Sequence, residues 1–164
     1  MTLPEGAIVE YRSKDEWPEG EWTFEPDHVR WTDAVTGFAC MVNRIDLGSL
    51  CGYVGIPDGH PLYGLAYDEC RVSCGESWCE HTIDARIDVH GGVTWTGPDP
   101  TRTDTTLWWI GFDTAHAYDL VPGMLALSHL HFHHEGDTYR DIDAVIKEVQ
   151  MLAMQILALQ LLQK

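Results

Sequence analysis

Residues 138–162, TYRDIDAVIKEVQMLAMQILALQLL, decide the fold class. Ile142, Val145, Ile146, Val149, Leu152, Ala153 and Ile156 recur at three- and four-residue spacing, the period of one face of an α-helix. Thr138 stands three residues before Asp141, a loose relative of the capping box, and the acidic side chains of this first turn suit the positive end of a helix dipole. Towards its end the stretch becomes apolar all round, through Leu157, Leu159, Leu161 and Leu162. That pattern predicts burial on two sides or a homo-oligomer formed through this helix. Only this part of the chain carries a strong helical period.

Upstream, from Phe38 onward, apolar β-formers come in short pieces: FACMVNRI, LCGYVGI, ARIDVH, GVTWT, LWWIGF and MLALSHLHF, each bounded by Gly, Pro, Asp or Asn. Most connections between them are too short for crossover helices, so the strands should pair antiparallel. The expected fold is therefore α+β: a single domain over residues 1–164, an antiparallel sheet with one long C-terminal helix packed on it. The length of 164 residues and the 45% hydrophobic content support one core. Residues 1–37 are rich in Glu, Asp, Pro and Trp and alternate weakly at AIVEY and EWTFE, which predicts a peripheral part of short strands and exposed turns.

A formal charge of −16, from 26 acidic and 10 basic residues, argues against the Lys/Arg surface that grips nucleic-acid phosphates, so no direct nucleic-acid partner is expected. The acidic residues are spread without long runs, which fits a solvated surface; mimicry of a nucleic acid toward a basic partner is the sharper alternative. No stretch of 18 uncharged apolar residues is present, and the start MTLPEGAIVEYRSKDE lacks the basic and apolar regions of an export signal. The expectation is a soluble, cytoplasmic chain without a membrane partner, its five cysteines reduced thiols or metal ligands.

Three stretches carry chemistry. In LWWIGFDTAHAYD (107–119), Asp113, His116 and Asp119 are spaced three and three, which puts them on one side of a helical turn or sends them from a loop in one direction. Such groups orient an imidazole for general-base work or bind a divalent metal; the structural alternative is that the aspartates cap turns. GYVGIPDGHPLYG (52–64) places His60 between Gly and Pro on a turn, with Tyr63 nearby and glycines that let a ligand approach the main chain. HGGVTW (90–95) puts His90 at the end of the alternating ARIDVH, with Gly91-Gly92 turning the chain into GVTWT as a hairpin. An imidazole titrates near neutrality, which suits proton transfer. Together they predict a composite cleft in which His60, His90, Asp113, His116 and Asp119 do the chemistry. Trp95, Trp108 and Trp109 would wall it, Tyr63 would contact substrate, and the N–H groups near Gly91 and Gly92 would meet developing negative charge.

Two further clusters are metal-like. DECRVSCGESWCEH (68–81) offers Cys70, Cys74, Cys79 and His81, the donor set of a closed, structural zinc site, although its spacing is irregular and free thiols are the alternative. GMLALSHLHFHHEG (123–136) alternates His129, His131 and His133, and Gly123, His129, His131 and Glu135 match the first cupin metal motif in spacing. A long helix follows, where a cupin needs more strands, so this patch reads as adventitious metal binding or a pH-sensitive surface. No Gly-x-Ser-x-Gly elbow, Walker loop, dinucleotide fingerprint or His-Glu-x-x-His helix is present.

The combination GYVGIP-x-GHPLYG, HGGVTW and WWIGFDTAHAYDLVPG, followed by YRDIDAVIKEVQMLAMQIL, resembles a family of small uncharacterised proteins encoded by phages and prophages, over roughly residues 38–157. Such proteins more often carry Cys in place of Thr114 and Gly in place of Tyr118, and their shorter linker makes residues 68–84 resemble an insertion. The resemblance implies phage origin and action in the cytoplasm of an infected bacterium; it implies no reaction. The expected function is a small hydrolase acting on a metabolite, nucleotide or host polymer. The alternative is a non-enzymatic acidic binding protein that modulates a host enzyme or defence system.

Overall fold

The computed structural model describes residues 1–69, 81–103, 106–127 and 135–162. Among them, β1 (Ile8–Glu10), β2 (His28–Thr32), β3 (Ala39–Arg44), β4 (Leu50–Ile56), β5 (Trp95–Gly97) and β6 (Trp108–Asp113) form one sheet in the order β1-β2-β3-β4-β6-β5. Every pair is antiparallel. Two short helices, α1 (Ile83–Arg86) and α2 (Pro122–Ala126), precede the long α3 (Ile142–Leu162), which lies across β3 and β4. The fold is the α+β arrangement of sheet and C-terminal helix that the periodicities imply.

Side chains alternate across the sheet, so each strand feeds two clusters. Val42, Val54, Ile110 and Phe112 point to the helix and join its Val145, Val149, Leu152 and Ile156 in the main core. Met41, Cys51, Tyr53 and Trp109 form a smaller cluster on the opposite face. β4 is buried at all seven positions, which is why LCGYVGI is an uninterrupted apolar run rather than an alternating one. Burial pushes the thiol of Cys40 up to about 12 and that of Cys51 up to about 11, so both behave as small apolar groups. α3 sits close because β4 carries a glycine beneath it: a Cβ on Gly52 would lie 2.5 Å from Val149 Cγ2 and 2.6 Å from Phe112 Cε1.

One end of the sheet is fixed by charge. Arg44, fully buried at the end of β3, donates from Nε to Asp27 Oδ1 (2.9 Å) and from a terminal nitrogen to Glu25 Oε2 (2.7 Å). It also donates to the Tyr139 hydroxyl (2.8 Å), which in turn donates to Glu25 Oε2 (2.5 Å). The other oxygen of Glu25 accepts the Ile142 N–H (3.0 Å), and Asp141 Oδ1 accepts that of Ala144 (2.7 Å), so two orphan donors of the first turn of α3 are satisfied. The helix thus begins at Ile142 with Asp141 as its cap, rather than at Thr138.

Other expectations change. Residues 1–37 are not peripheral: they supply β1, β2 and the buried Trp22, Glu25, Asp27, Val29 and Trp31. EWTFE is a 3-10 turn, Glu21–Phe24, and the first part of MLALSHLHF belongs to α2. ARIDVH is not a strand: its first residues close α1, and the rest runs extended without a sheet neighbour. Among the described residues α3 is the one helix long and apolar enough, at a mean hydropathy of 1.4, to cross a membrane by length and composition. Here one face is covered by the sheet while Met151, Met154, Leu161 and Leu162 are exposed. Cys70, Cys74 and Cys79, and His129, His131 and His133, lie outside the described residues; His81 is exposed.

Two predictions follow from this packing. Gly52→Val should lower stability by about 1–3 kcal/mol through overpacking beneath α3, read as a reduced urea midpoint. The second concerns Asp99, buried beneath its Thr101, Thr103 and Arg30 partners. Burial opposes its charge, but these hydrogen bonds and the guanidinium outweigh it and hold the carboxyl below its usual value. A depressed folded value means the contribution is complete above the unfolded pKa, about 4, and fades as pH falls through the folded value. The stability lost in Asp99→Asn, about 1–3 kcal/mol at pH 7, should therefore shrink in urea melts below about pH 4.

Candidate functional site

β6 ends at Asp113, and the chain then turns through Thr114–Asp119. Asp113 Oδ1 accepts the Ala115 N–H (3.0 Å), and Thr94 Oγ1 donates to its other oxygen (2.8 Å). Asp119 reaches back with Oδ2 to the His116 N–H (3.0 Å) while its own N–H donates to His116 O (3.0 Å). Both aspartates therefore cap turns, and the same geometry turns His116 toward them: Nε2 lies 3.8 Å from Asp113 Oδ1 and Nδ1 3.5 Å from Asp119 Oδ2. Tyr118 adopts a φ of 72°, the left-handed region that favours glycine. Thr114 closes the sheet end, bonding both N–H and carbonyl of Leu50 through its hydroxyl.

His90 arrives from the extended segment after α1. That segment takes its backbone partners from the side chains of α3 instead of a strand. Gln155 bonds both the N–H and the carbonyl of Asp88 (2.8 Å each), and Glu148 Oε1 accepts the His90 N–H (2.9 Å). Residues 148 and 155 are seven apart on the helix, two turns along one face. Ile87 and Val89 face the core and Asp88 faces out, so the alternation of ARIDVH is real although its hydrogen bonds are not those of a sheet.

The His90 ring meets Asp119 with Nε2 2.7 Å from Oδ2, and its centroid is 5.4 Å from that of His116 in an edge-on arrangement. Arg140 Nε approaches the other oxygen of Asp119 at 3.4 Å. One ring nitrogen of His90, one of His116 and an Asp119 oxygen all lie within 4.8 Å of one another. The Asp119 side chain is 2% exposed. Burial alone would raise its pKa, but the His90 hydrogen bond, the His116 N–H and Arg140 outweigh it and keep the carboxyl below its usual value. The group is an ionised carboxylate at neutral pH, so His90 carries its proton on Nε2 and donates. His116 Nδ1 is buried without a hydrogen-bond partner among the described residues. Beside the cluster opens a cleft of about 230 Å3 lined by His90, Phe112, Thr114, Arg140, Glu148 and Met151.

The structure thus brings together His90, His116 and Asp119, with Asp113 behind His116. The rest of the expected site does not converge. In the β4–β6 register Cys51 faces Asp113 and Ile56 faces Trp108. His60, beyond Ile56, is therefore off the opposite end of the sheet, about 17 Å of strand away. There it is a core histidine: 4% exposed, Nδ1 accepting the Leu62 N–H (3.1 Å), the ring edge-on to Phe38, burial pushing it below its usual pKa. Tyr63 and Trp108 lie at that end too, 6.1 Å apart between ring centroids. Trp109 is fully buried on the face away from α3 beneath Arg30, and Trp95, paired with Gly111, is on that same face at the sheet edge. No indole walls the cluster among the described residues.

The glycines have a different duty from the one expected. Gly92 N–H closes a turn onto Val89 O (2.9 Å) and is not free for an anion. Gly91 has φ +70°, and a Cβ there would fall 2.1 Å from His116 Cε1: what its bare backbone admits is the neighbouring imidazole. Thr94, Arg140 and Glu148 were not anticipated; the polar pair Glu148 and Gln155 interrupting an apolar helix face is the signal that marks the docked segment. Comparison with models of protein families, with curated proteins and with solved structures found no match.

Gly91→Ala should displace the His116 ring and force a left-handed alanine, costing about 1–2 kcal/mol of stability in urea unfolding. Proton spectra of the histidine rings should show both His90 and His116 shifted.

Proposed function

We propose that this protein is a hydrolase whose reacting water is held at the His90–His116–Asp119 cluster. One observation carries the reading: two imidazoles converge on a single buried, ionised carboxylate at the edge of a cleft. Imidazoles held in fixed orientation by a carboxylate can take a proton from water. The Arg140 guanidinium lines the same cleft and can meet negative charge that develops on the substrate. A volume of about 230 Å3 suits a small molecule, or one unit of a longer chain, better than a folded partner. The phage-type resemblance would place this activity in the cytoplasm of an infected bacterium.

The rival reading, an acidic protein that binds and modulates a host factor, draws on the exposed Met151, Met154, Leu161 and Leu162 of α3. Tryptophan gives it less support, because Trp22, Trp31 and Trp109 are in the interior.

The test is a panel of chromogenic esters, phosphate mono- and diesters and amides. The wild-type chain should turn over one class, and His90→Gln and Asp119→Asn should each lower kcat/KM about 10²–10⁴-fold with unchanged circular dichroism. Absence of turnover across the panel, or equal rates in the variants, removes the hydrolase reading and leaves the binding protein.

A further inference from the structure

We infer that His90 Nε2, His116 Nδ1 and Asp119 Oδ2 form a three-ligand centre for a divalent transition-metal ion. It uses the cluster of the hydrolytic reading but does not depend on the reaction, so each can fail alone.

Geometry is the first argument. Around a tetrahedral ion with bonds of about 2.0–2.1 Å, ligand atoms sit about 3.4 Å apart. Here Asp119 Oδ2 is 2.7 Å from His90 Nε2 and 3.5 Å from His116 Nδ1, and one nitrogen of each ring lies together with an Asp119 oxygen inside 4.8 Å. A small opening of the His90–Asp119 contact admits an ion in place of the proton on His90 Nε2; as Nε2 gives up that proton to solvent, Nδ1 takes one up, so the ring binds as a neutral imidazole.

The second argument is the state of His116. Its Nδ1 is buried, faces Asp119 and makes no hydrogen bond among the described residues, an uncompensated arrangement for an imidazole that a metal bond would resolve. Its other nitrogen faces Asp113 Oδ1, and Asp113 is itself held by Thr94 and the Ala115 N–H. Metal-binding imidazoles are oriented by a carboxylate hydrogen-bonded to the far nitrogen; at 3.8 Å Asp113 is short of that contact and would close on His116 as the ion binds. Asp119 is braced in the same way by Arg140 and the His116 N–H, and His90 by Glu148 through its main chain. The ring of His116 rests on Gly91, which limits its rotation.

Donor chemistry sets the class of ion. Two imidazoles and one carboxylate suit Zn2+ and its first-row neighbours, whereas Ca2+ and Mg2+ require oxygen donors. Three protein ligands leave a further position for water, and His90 lines the cleft from which a substrate would reach it. Asp113 is on this account a positioning residue for His116.

The full-length chain, stripped with EDTA and freed of chelator, is titrated with Zn2+ by calorimetry in a C70S/C74S/C79S background, so that those thiols contribute nothing. One Zn2+ per chain is expected. Asp113→Asn should weaken binding about 10–100-fold. Asp119→Asn and His116→Gln should abolish it with folding intact by circular dichroism. Absence of binding, or unaltered affinity in the last two variants, overturns the centre. Should the serine background fail to fold, the unsubstituted chain is loaded with Co2+. Ligand-field bands lost in Asp119→Asn support the centre, and a spectrum showing only thiolate-coordinated Co2+ overturns it. Stoichiometric Zn2+ without turnover of any substrate sustains the centre and removes the hydrolase. Turnover undiminished in chelator, with no Zn2+ bound, does the reverse.

Discussion

A buried negative charge must be matched, and in this protein the matching of Asp119 organises everything around it. An isolated carboxylate taken out of water would be strongly unfavourable, so it persists only with donors on its oxygens. Asp119 collects them from three segments: the imidazole of His90, the backbone of its own turn at His116, and Arg140 on the approach to α3. Its main chain is tied as well. Thr138 N–H donates to Tyr118 O and Leu120 N–H to Thr138 O, a short parallel bridge that brings the start of the helix alongside the turn. One side chain therefore ties the turn after β6, the His90 turn and the approach to α3 to one another, and the two imidazoles are held beside it.

The long helix makes this arrangement rigid. At its start it is fixed by the buried Arg44 network through Tyr139 and the Ile142 N–H. Midway, at Val149, it rests on the bare backbone of Gly52, and on either side of that point Glu148 and Gln155 hold the segment that carries His90. His90, His116 and Asp119 sit on turns, but those turns are tied to the helix and to the end of β6, which holds their side chains more tightly than free loops would. The left-handed Tyr118 within the same turn is a local strain of the kind that surrounding structure must over-determine.

Much of this was legible in the residues themselves. The helical period of 142–156, the short β-pieces and the three-and-three spacing of Asp113, His116 and Asp119 led directly to the sheet, the helix and two of the three members of the cluster. Long-range placement was not legible, because periodicity says which face a residue takes and nothing about which end of a strand it leaves. His60 looked equivalent to His90, both beside glycine in a turn, yet β4 runs antiparallel to β6 and carries His60 away from Asp113. The tryptophans misled for a related reason: with both sheet faces covered, Trp109 had a second core to fill rather than a cleft to line. ARIDVH alternated as a strand does, and only the polar residues at 148 and 155 of the helix indicated that its backbone had another partner.

The central claim, that His90 and His116 converge on an ionised Asp119, is tested most directly by long-range proton–nitrogen correlation spectra of the imidazoles in the metal-free protein at neutral pH. The account predicts that His90 carries its proton on Nε2, and that Asp119→Asn shifts the ring nitrogens of both His90 and His116. A His90 protonated on Nδ1, or ring nitrogens in both histidines that do not respond to loss of the Asp119 charge, would contradict it.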